Sequence, residues 1–306
     1  MQPDVGCLCR TGCFLAAILF VQVGRGQEFQ TLPPVTDEVV YESVAPAESD
    51  WFSPYELTRY PTDLLWTPPF ASKREPRMQG VATTLDTYAD PWALDVSIGA
   101  SHGLLRVARP ELDHTFQMDF FAVVHTRLSP EDLIANDYRF GLPLTFRSGL
   151  TTYKVAYEHT SAHVGDEGLE SGGLTTIHYA KDELVFGLDH WFADVFRPYG
   201  QVSWAMWQDL PDDKVSPFRF DVGCEVYDRT NLSWRGVPFF ALHADFRGEM
   251  EHRGNLNVQA GWLWRAPGQP QVRGRLFAEY YHGRSPYGQF MASAENFLSG
   301  GIAYDY

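Results

Sequence analysis

The sequence predicts an all-β protein, a transmembrane antiparallel β-barrel of about twelve strands, and three observations predict it. Stretches of roughly ten residues in which apolar and polar side chains alternate recur from residue 77 to residue 306. The chain opens with a short apolar run that is typical of a secretory signal peptide. It ends on two alternating aromatic residues, Tyr304 and Tyr306. Strands with one apolar and one polar face suit a wall between lipid and a polar interior.

Residues 1–26 are predicted to be a signal peptide. Arg10 supplies a positive charge, Phe14–Gly24 is an apolar run, and small residues precede Gln27. The run is shorter than the roughly 20 apolar residues that a membrane-spanning helix needs. Removal of this segment leaves Cys224 as the only cysteine. The exported chain therefore has to be stable without an internal disulfide.

Residues 27–76 differ in character from the rest of the chain. They are rich in proline and acidic residues, and neither a strand period nor a helix period is sustained in them. The basic stretch Ser72–Arg77 ends the segment. We therefore predict a mostly irregular periplasmic extension, partly ordered at best, followed by the barrel in residues 77–306.

The charge balance excludes one class of partner. The formal net charge is −15, and a strongly acidic chain repels the phosphate backbone of nucleic acids. The chain also contains no nucleic-acid-binding motif, no glycine-rich phosphate loop and no heptad repeat. We expect membrane lipid to be a partner and nucleic acid not to be one.

The strands are predicted from the alternation. In residues 92–100 the even-numbered side chains are apolar, whereas Asp95 and Ser97 lie among the odd-numbered ones. Residues 218–226 repeat the pattern, with Arg219 and Asp221 between apolar neighbours. The predicted strands lie near residues 77–87, 92–107, 114–126, 136–147, 151–161, 173–190, 198–208, 217–228, 236–247, 254–265, 272–283 and 295–306.

A soluble β-sandwich also alternates, so further features have to decide between the two architectures. Many of these strands carry two or three aromatic residues on the apolar face and charges on the other face, as a barrel in lipid requires. Tyrosine and tryptophan lie near strand ends, which is typical of interfacial girdles, as at Tyr138, Trp204, Trp262, Trp264 and Tyr280. Barrel closure also leaves no unpaired edge, which explains stability without disulfides.

The last strand resembles the C-terminal signal of bacterial outer-membrane barrels. Gly301, Tyr304 and Tyr306 have the spacing glycine, two residues, aromatic, one residue, aromatic. The resemblance implies insertion by the barrel-assembly machinery and a place in the cell outer membrane. An even strand number puts both ends of the barrel segment in the periplasm. The extracellular loops are then expected near residues 88–91, 127–135, 162–172, 209–216, 248–253 and 284–294.

Residues 151–163 place a serine and two histidines on one face of a predicted strand. Tyr153, Val155 and Tyr157 form its lipid-facing stripe, and the alternation continues outward through His159, Ser161 and His163. Residues two apart on one strand face are separated by roughly 6.6 Å at Cα, close enough for an imidazole to reach a serine hydroxyl. We expect these side chains near the outer rim, pointing toward lipid headgroups.

The strand-borne His-x-Ser is similar to that of the outer-membrane phospholipase A family. The resemblance implies a twelve-stranded barrel that hydrolyses lipid esters, with Ser161 as nucleophile, His159 as base and calcium supporting the oxyanion. Asp166 and Glu167 are the candidate calcium ligands. The motif departs from the family, which continues with Asn-Gly and orients its histidine with an asparagine. Here Ala162 follows, and the polar groups near the next predicted strand are His178 and Asp182.

A second resemblance covers residues 64–306. The segments LLWTPPFASKREPRMQG, HTSAHVGDE, IHYAKDELVFGLDHWF and YYHGRSPYGQF together resemble the bacterial family of domain of unknown function 1207. This resemblance implies an outer-membrane-type barrel and carries no activity. Two of the segments fall on predicted extracellular loops and hold the candidate binding residues His163, Asp166, Glu167, Arg284, Ser285, Tyr287 and Gln289.

Several functions remain open at this level. Lumen-facing charges of both signs, together with Phe121, Val123, Phe239 and Phe277, indicate an interior in which side chains pair and fill the space. A passive channel for small solutes is an alternative to the lipid-ester hydrolase, and so is a surface-binding or structural barrel whose rim is merely polar. A metal site at His159, His163 and Asp166 matches no dedicated spacing. The sequence leaves open whether the protein is an enzyme and whether it is a monomer or a dimer.

Overall fold

The computed structural model describes residues 54–306, except for residues 85–91, 131, 166–176, 213, 267–268 and 306. The predicted signal peptide, the larger part of the predicted extension, Asp166, Glu167 and Tyr306 therefore lie outside the described residues. Nearly all of the regular structure is β-strand, and the described helices are short 3₁₀ turns. No helix in the described part of the chain is both long and apolar enough to cross a bilayer.

The chain forms strands from Glu56 to Asp305. Their bounds are β1 Glu56–Arg59, β2 Met78–Thr84, β3 Trp92–Arg109, β4 His114–Leu128, β5 Leu133–Ser148, β6 Thr151–Val164, β7 Ala180–His190, β8 Phe196–Asp209, β9 Phe218–Val226, β10 Val237–Arg247, β11 Gly254–Ala266, β12 Gln269–Arg284 and β13 Ala294–Asp305. The predicted positions of the barrel strands are met within a few residues. The largest difference is β7, which begins at Ala180 rather than near residue 173.

Strands β2 to β13 form a closed antiparallel barrel of twelve strands. Each strand pairs with the next along the chain, and β13 pairs with β2 through Tyr304 opposite Met78. This confirms the predicted fold class and strand number. Strand β1 lies outside the cycle and pairs with the end of β3, with Glu56 opposite Ala108. Four residues are too few to show an alternating pattern, so the sequence did not predict this strand.

The two faces of the wall differ as a barrel in lipid requires. On the outer face the apolar side chains are exposed, as for Leu144, Leu276 and Ile302, and on the inner face charged side chains are buried. We call the end of the barrel with the connections after the even-numbered strands the loop end, and the opposite end the turn end. The longer connections lie mostly at the loop end, which is typical of the extracellular side of such barrels.

The lumen is filled by the chain segment that precedes β2, here called the plug, residues Leu64–Arg77. Its main chain is held by side chains of the wall. The backbone N–H of Phe70 donates to Glu225 over 2.7 Å, Arg197 donates to the carbonyl of Thr67 over 2.6 Å, and Asn257 donates to the carbonyl of Ala71 over 2.7 Å. An irregular segment inside a barrel needs such partners, because its own backbone forms no ladder.

The charged side chains of the plug are also paired with the wall. Arg74 lies 2.6 Å from Glu183, Arg77 lies 3.6 Å from Asp305, and Lys73 forms an ion pair with Glu279. These pairs reach β7, β13 and β12, so the plug is tied to strands around the barrel. Breaking one partner of a buried ion pair leaves a charge without compensation, which is strongly unfavourable.

Two aromatic side chains of the plug complete its packing. Phe70 is fully buried, with its ring 5.5 Å from that of Phe239 in an edge-to-face arrangement and 4.4 Å from the guanidinium carbon of Arg275. Trp66 is buried between the ammonium of Lys154, 5.0 Å away, and the guanidinium of Arg197, 5.6 Å away. Cations over aromatic faces are most favourable where water is excluded.

The plug differs from the sequence-based expectation for residues 64–76, which placed them in a periplasmic extension. They are irregular, as expected, but lie inside the barrel. This segment shows neither a strand period nor a helix period, and the residues with which it pairs are far away in sequence. The predicted inward positions of Phe121, Val123, Phe239 and Phe277 are confirmed, because all four are buried.

We predict that Phe70→Ala destabilises the barrel by about 3–5 kcal/mol, because it removes a buried aromatic ring and its contacts with Phe239 and Arg275. The measurement is the free energy of unfolding by urea titration in lipid vesicles. Leu57→Ala is the control, since Leu57 is 61% exposed on β1, and it should change this energy by less than about 0.5 kcal/mol. Equal stability of the two variants would contradict the assignment of Phe70 to the core.

Candidate functional site

The candidate site lies on the outer face of β6, toward the loop end. Along this strand the even-numbered side chains from Thr152 to Val164 are buried, and the odd-numbered ones point outward. His159 and Ser161 are therefore on the outer wall, two residues apart, as the alternation predicts. His163 follows them on the same face and is exposed.

The neighbouring strands fix the surroundings of His159. Phe140 on β5 and Asp182 on β7 are its partners in register, one on each side. The ring of Phe140 stacks on the imidazole at 4.9 Å between centroids. On the other side, Nδ1 of His159 lies 2.8 Å from Oδ1 of Asp182. An ionised carboxylate only accepts hydrogen bonds, so Nδ1 carries the proton that is donated to Asp182.

Asp182 receives a second hydrogen bond on the same oxygen. The hydroxyl of Tyr157 donates to Oδ1 over 2.8 Å. Tyr157 precedes His159 by two residues on the outer face of β6, and Asp182 lies on β7 directly opposite His159. The carboxylate is thus held between a phenol and an imidazole, and both side chains come from one strand.

Ser161 lies one step farther toward the loop end. Its register partners are Tyr138 on β5 and Ala180 on β7. Among the described residues, no hydrogen bond joins its hydroxyl to His159. Two positions on one strand face are separated by roughly 6.6 Å at Cα, a gap that side-chain rotation closes, and catalytic hydrogen bonds often tighten only with substrate bound. Ser161 and His159 thus lie two residues apart on one face of β6, and Asp182 lies opposite His159 on β7.

The rim above Ser161 is polar. His163 contacts the ring of Tyr138 edge to face, with 5.5 Å between centroids. His178 is highly exposed, and its Nδ1 lies 3.6 Å from a carboxylate oxygen of Asp209. These groups lie near the loop end of the barrel.

The other predicted binding residues lie on the loop that joins β12 to β13, here called the mouth loop, residues 285–293. Ser285, Tyr287 and Gln289 are buried in it. The hydroxyl of Tyr287 donates to Asp95 over 3.2 Å, and its ring lies 4.6 Å from the guanidinium carbon of Arg127. Burial, together with the charge of Asp95, raises the pKa of Tyr287 well above its ordinary value. These contacts place the loop inside the mouth of the barrel.

The mouth loop reaches the inner side of the strand that carries Ser161. The side-chain amide of Gln289 donates to the carbonyl oxygens of Ala162, over 2.6 Å, and Ile177, over 2.8 Å, and it accepts from the N–H of Ile177. The N–H of Gly288 donates to Asp137 over 2.9 Å. The two loop segments singled out in the sequence therefore meet, but at the backbone of the wall and not on the lipid face.

Arg284 is half-buried at the end of β12. Its backbone N–H donates to the side chain of Asn255 over 2.6 Å, and its guanidinium donates to the carbonyl of Ala292. It braces the base of the mouth loop. Of the predicted binding residues that the structure describes, only His163 lies on the outer wall with Ser161; Arg284, Ser285, Tyr287 and Gln289 belong to the loop that closes the mouth.

A second connection, the 3₁₀ turn Gly248–Met250, also closes the loop end. Glu249 is buried there, 2.7 Å from the ammonium of Lys181, and it accepts from the hydroxyl of Tyr179 over 3.0 Å. Burial alone disfavours its charge, but the cations of Lys181 and Arg247 outweigh burial and hold the pKa of Glu249 at about 2. The turn therefore keeps its ion pair at physiological pH.

Between the plug and the mouth loop lies a cavity of about 40 Å³. Its lining is polar and charged, and includes Lys73, Arg74, Asp137, Arg139 and Tyr287. A polar cavity of this size has room for a few water molecules. The lumen is thus blocked by the plug, by the mouth loop and by the ion pairs of the wall, which favours a closed barrel over a passive channel.

The metal ligands suggested by the sequence cannot be placed as a set. Asp166 and Glu167, the candidate calcium ligands, lie outside the described residues. Asp166 is also the third residue of the candidate metal site with His159 and His163. Within the residues that are described, no group of three or more histidine, cysteine or acidic side chains is positioned to hold a metal ion.

Comparison with known proteins identifies the family. A family model described as a protein of unknown function (DUF1207) matches residues 97–306, which is more than half of the chain. The chain belongs to this family. No curated protein sequence matches the chain. The family membership agrees with the resemblance carried by the sequence segments and supplies no activity.

Solved structures give a likeness of fold. Outer membrane phospholipase A from Escherichia coli matches with a TM-score of 0.51 and 10% identity over 79% of this chain and 93% of that chain. The Salmonella typhi outer membrane phospholipase dimer with bound calcium matches with a TM-score of 0.50 and 12% identity over the same shares. At such identity the likeness shows a shared barrel architecture alone.

Sequence reasoning identified Ser161 and His159 but did not assign their neighbours. In the sequence, Asp182 is a polar residue without an evident role, because the family motif places an asparagine beside the histidine. Alternation assigns Tyr157 only to the lipid-facing stripe. The loop between β6 and β7 is long and gives no register, so nothing in the sequence aligned Asp182 with His159.

We predict that the intact barrel shows no stepwise ion conductance in planar bilayers, because the plug and the mouth loop fill its lumen. Replacement of residues 64–76 by a glycine-serine linker of equal length, combined with Tyr287→Ala and Gln289→Ala, should produce conducting steps. Either replacement made separately is the control, since one closure remains in each. Steady conductance through the intact, folded barrel would contradict the closed interior.

Proposed function

We propose that the protein is an outer-membrane enzyme that hydrolyses an ester of a membrane lipid at its outer rim. Ser161 is the nucleophile, His159 the general base and Asp182 the carboxylate that orients the imidazole. The observation that carries the proposal is the 2.8 Å contact between His159 Nδ1 and Asp182 Oδ1, next to Ser161 on the lipid-facing wall. This arrangement has the three roles that activated serine nucleophiles require.

The reaction follows from the chemistry of these groups. Nε2 of His159 takes the proton of the Ser161 hydroxyl while Oγ bonds to the ester carbonyl carbon. The tetrahedral intermediate collapses, the ester C–O bond breaks, and the alcohol leaves with the proton from the imidazolium. A water molecule, activated by the same base, then releases the acyl group as a fatty acid. Asp182 keeps Nδ1 protonated and stabilises the imidazolium throughout.

The location of the site defines the class of substrate. His159 and Ser161 lie on a convex wall with Phe140 and Tyr157 beside them and polar groups above them. A water-soluble ester has no pocket there, whereas a lipid lying along the wall brings its ester to the boundary between chains and headgroups. With the loop end outward, this is a lipid of the outer leaflet.

Calcium is not part of this proposal. The phospholipase structure from Salmonella typhi has bound calcium, and the candidate calcium ligands of this chain, Asp166 and Glu167, lie outside the described residues. The steps above run through residues of this chain. The activity is therefore measured both with calcium and with a chelator.

We predict that the refolded barrel releases lysolipid and fatty acid from a diacyl phospholipid in mixed micelles. Ser161→Ala should abolish the release, because no other group in the site becomes acylated. His159→Ala and Asp182→Ala should each lower kcat by roughly 100-fold or more, since the base and its orientation are lost. Product is measured by mass spectrometry, with calcium and with a chelator.

Matched controls exist on the same barrel. His282 is an exposed histidine near the loop end of β12, and Thr126 carries a hydroxyl near the loop end of β4. His282→Ala and Thr126→Ala should retain full activity. Release of lysolipid that persists in Ser161→Ala, or no product from any folded variant, would rule out the proposed reaction.

A further inference from the structure

The hydroxyl of Tyr157 occupies an unexpected place for a lipid-facing tyrosine. Tyr157 belongs to the outward stripe of β6, between Val155 and His159. Its register partners are Leu142 on β5 and Leu184 on β7, so its neighbours across the strands suit the apolar ring. Apolar contact does not account for the hydroxyl, which donates 2.8 Å to Asp182.

The contact falls on the oxygen that also binds the histidine. Oδ1 of Asp182 accepts from Tyr157 and from His159 Nδ1, each over 2.8 Å. Both donors come from β6, and together they set the orientation of the Asp182 carboxylate. The tyrosine donor is independent of the imidazole, so it holds the carboxylate in place while His159 exchanges its proton with Ser161.

We propose that Tyr157 is a positioning residue of the site, which acts through Asp182 and not on the substrate. The inference rests on the proposed function, because the group that it positions is the proposed partner of the base. Tyr157, His159 and Ser161 then form one functional row on β6, with Asp182 as the single contribution of β7. The row has the pattern Tyr-x-His-x-Ser, and simple alternation brings all three side chains to the same face.

The proposed positioning role belongs to the hydroxyl of Tyr157 and not to its ring, so a substitution that removes only the hydroxyl tests it. Tyr157→Phe keeps the ring between its register partners Leu142 and Leu184, and removes only the donor. Loss of a hydrogen bond to a charged group should lower kcat about tenfold, with KM unchanged, because the substrate does not touch the hydroxyl. Tyr153→Phe is the control, since Tyr153 lies on the same outward face of β6 but pairs with Phe146 and Leu188.

The deciding experiment is a double-mutant cycle on the full chain, with phospholipid micelles as the probe. Activities are measured for the wild type, Tyr157→Phe, Asp182→Ala and the double variant, and folding of each is checked by its unfolding midpoint. If Tyr157 acts through Asp182, the tenfold loss disappears in the Asp182→Ala background. An equal loss in both backgrounds, or no loss in either, would overturn the positioning role while leaving the hydrolase intact.

Failure of the proposed function gives a different result. If the wild type and Ser161→Ala release the same amount of product, then there is no serine-dependent reaction, and both the proposed function and the role of Tyr157 fall. If Ser161→Ala is inactive and Tyr157→Phe is indistinguishable from Tyr153→Phe, only the positioning role falls.

Discussion

The burial of charge inside the barrel is the constraint on which the rest of this structure depends. A wall that presents apolar side chains to lipid has to turn its polar side chains inward. Arg127, for example, is fully buried and pairs with Asp95 over 2.7 Å and with Glu295 over 2.8 Å. Arg197 is held in the same way by Asp189 and Glu225. Such groups are tolerated only when their partners are in place.

The plug and the mouth loop follow from that constraint. The plug brings cations to buried carboxylates of the wall. Arg74 pairs with Glu183, and Lys73 pairs with Glu279, which also accepts hydrogen bonds from Asn257 and Gln259 of β11. The mouth loop supplies a backbone donor instead, since Asp137 accepts from the N–H of Gly288. Filling the lumen is therefore the way in which the polar interior is satisfied, and it also removes the space that a channel would need.

Much of the wall could be predicted from the sequence, because alternation depends only on neighbouring positions. The outward direction of His159 and Ser161 is an example, and so are the buried positions of Phe239 and Phe277. What could not be predicted depends on register between strands or on distant pairing. Asp182 reaches His159 only because β7 pairs with β6 in one register, and the loop before Ala180 conceals that register. Residues 64–76 have no period at all, so their place inside the barrel appears only with their partners.

The closed interior bears on the function of the outer wall. A barrel that conducts solutes places its chemistry in the lumen, where the residues meet the solute. Here charged side chains of the inner face form ion pairs with one another. Glu158, the inward neighbour of His159, pairs with Arg139 and Lys154. His159 and Asp182 are less buried, and both lie on the outer face of the wall. The candidate site therefore lies on the outer face, where the pairing of β6 with β7 fixes Asp182 opposite His159.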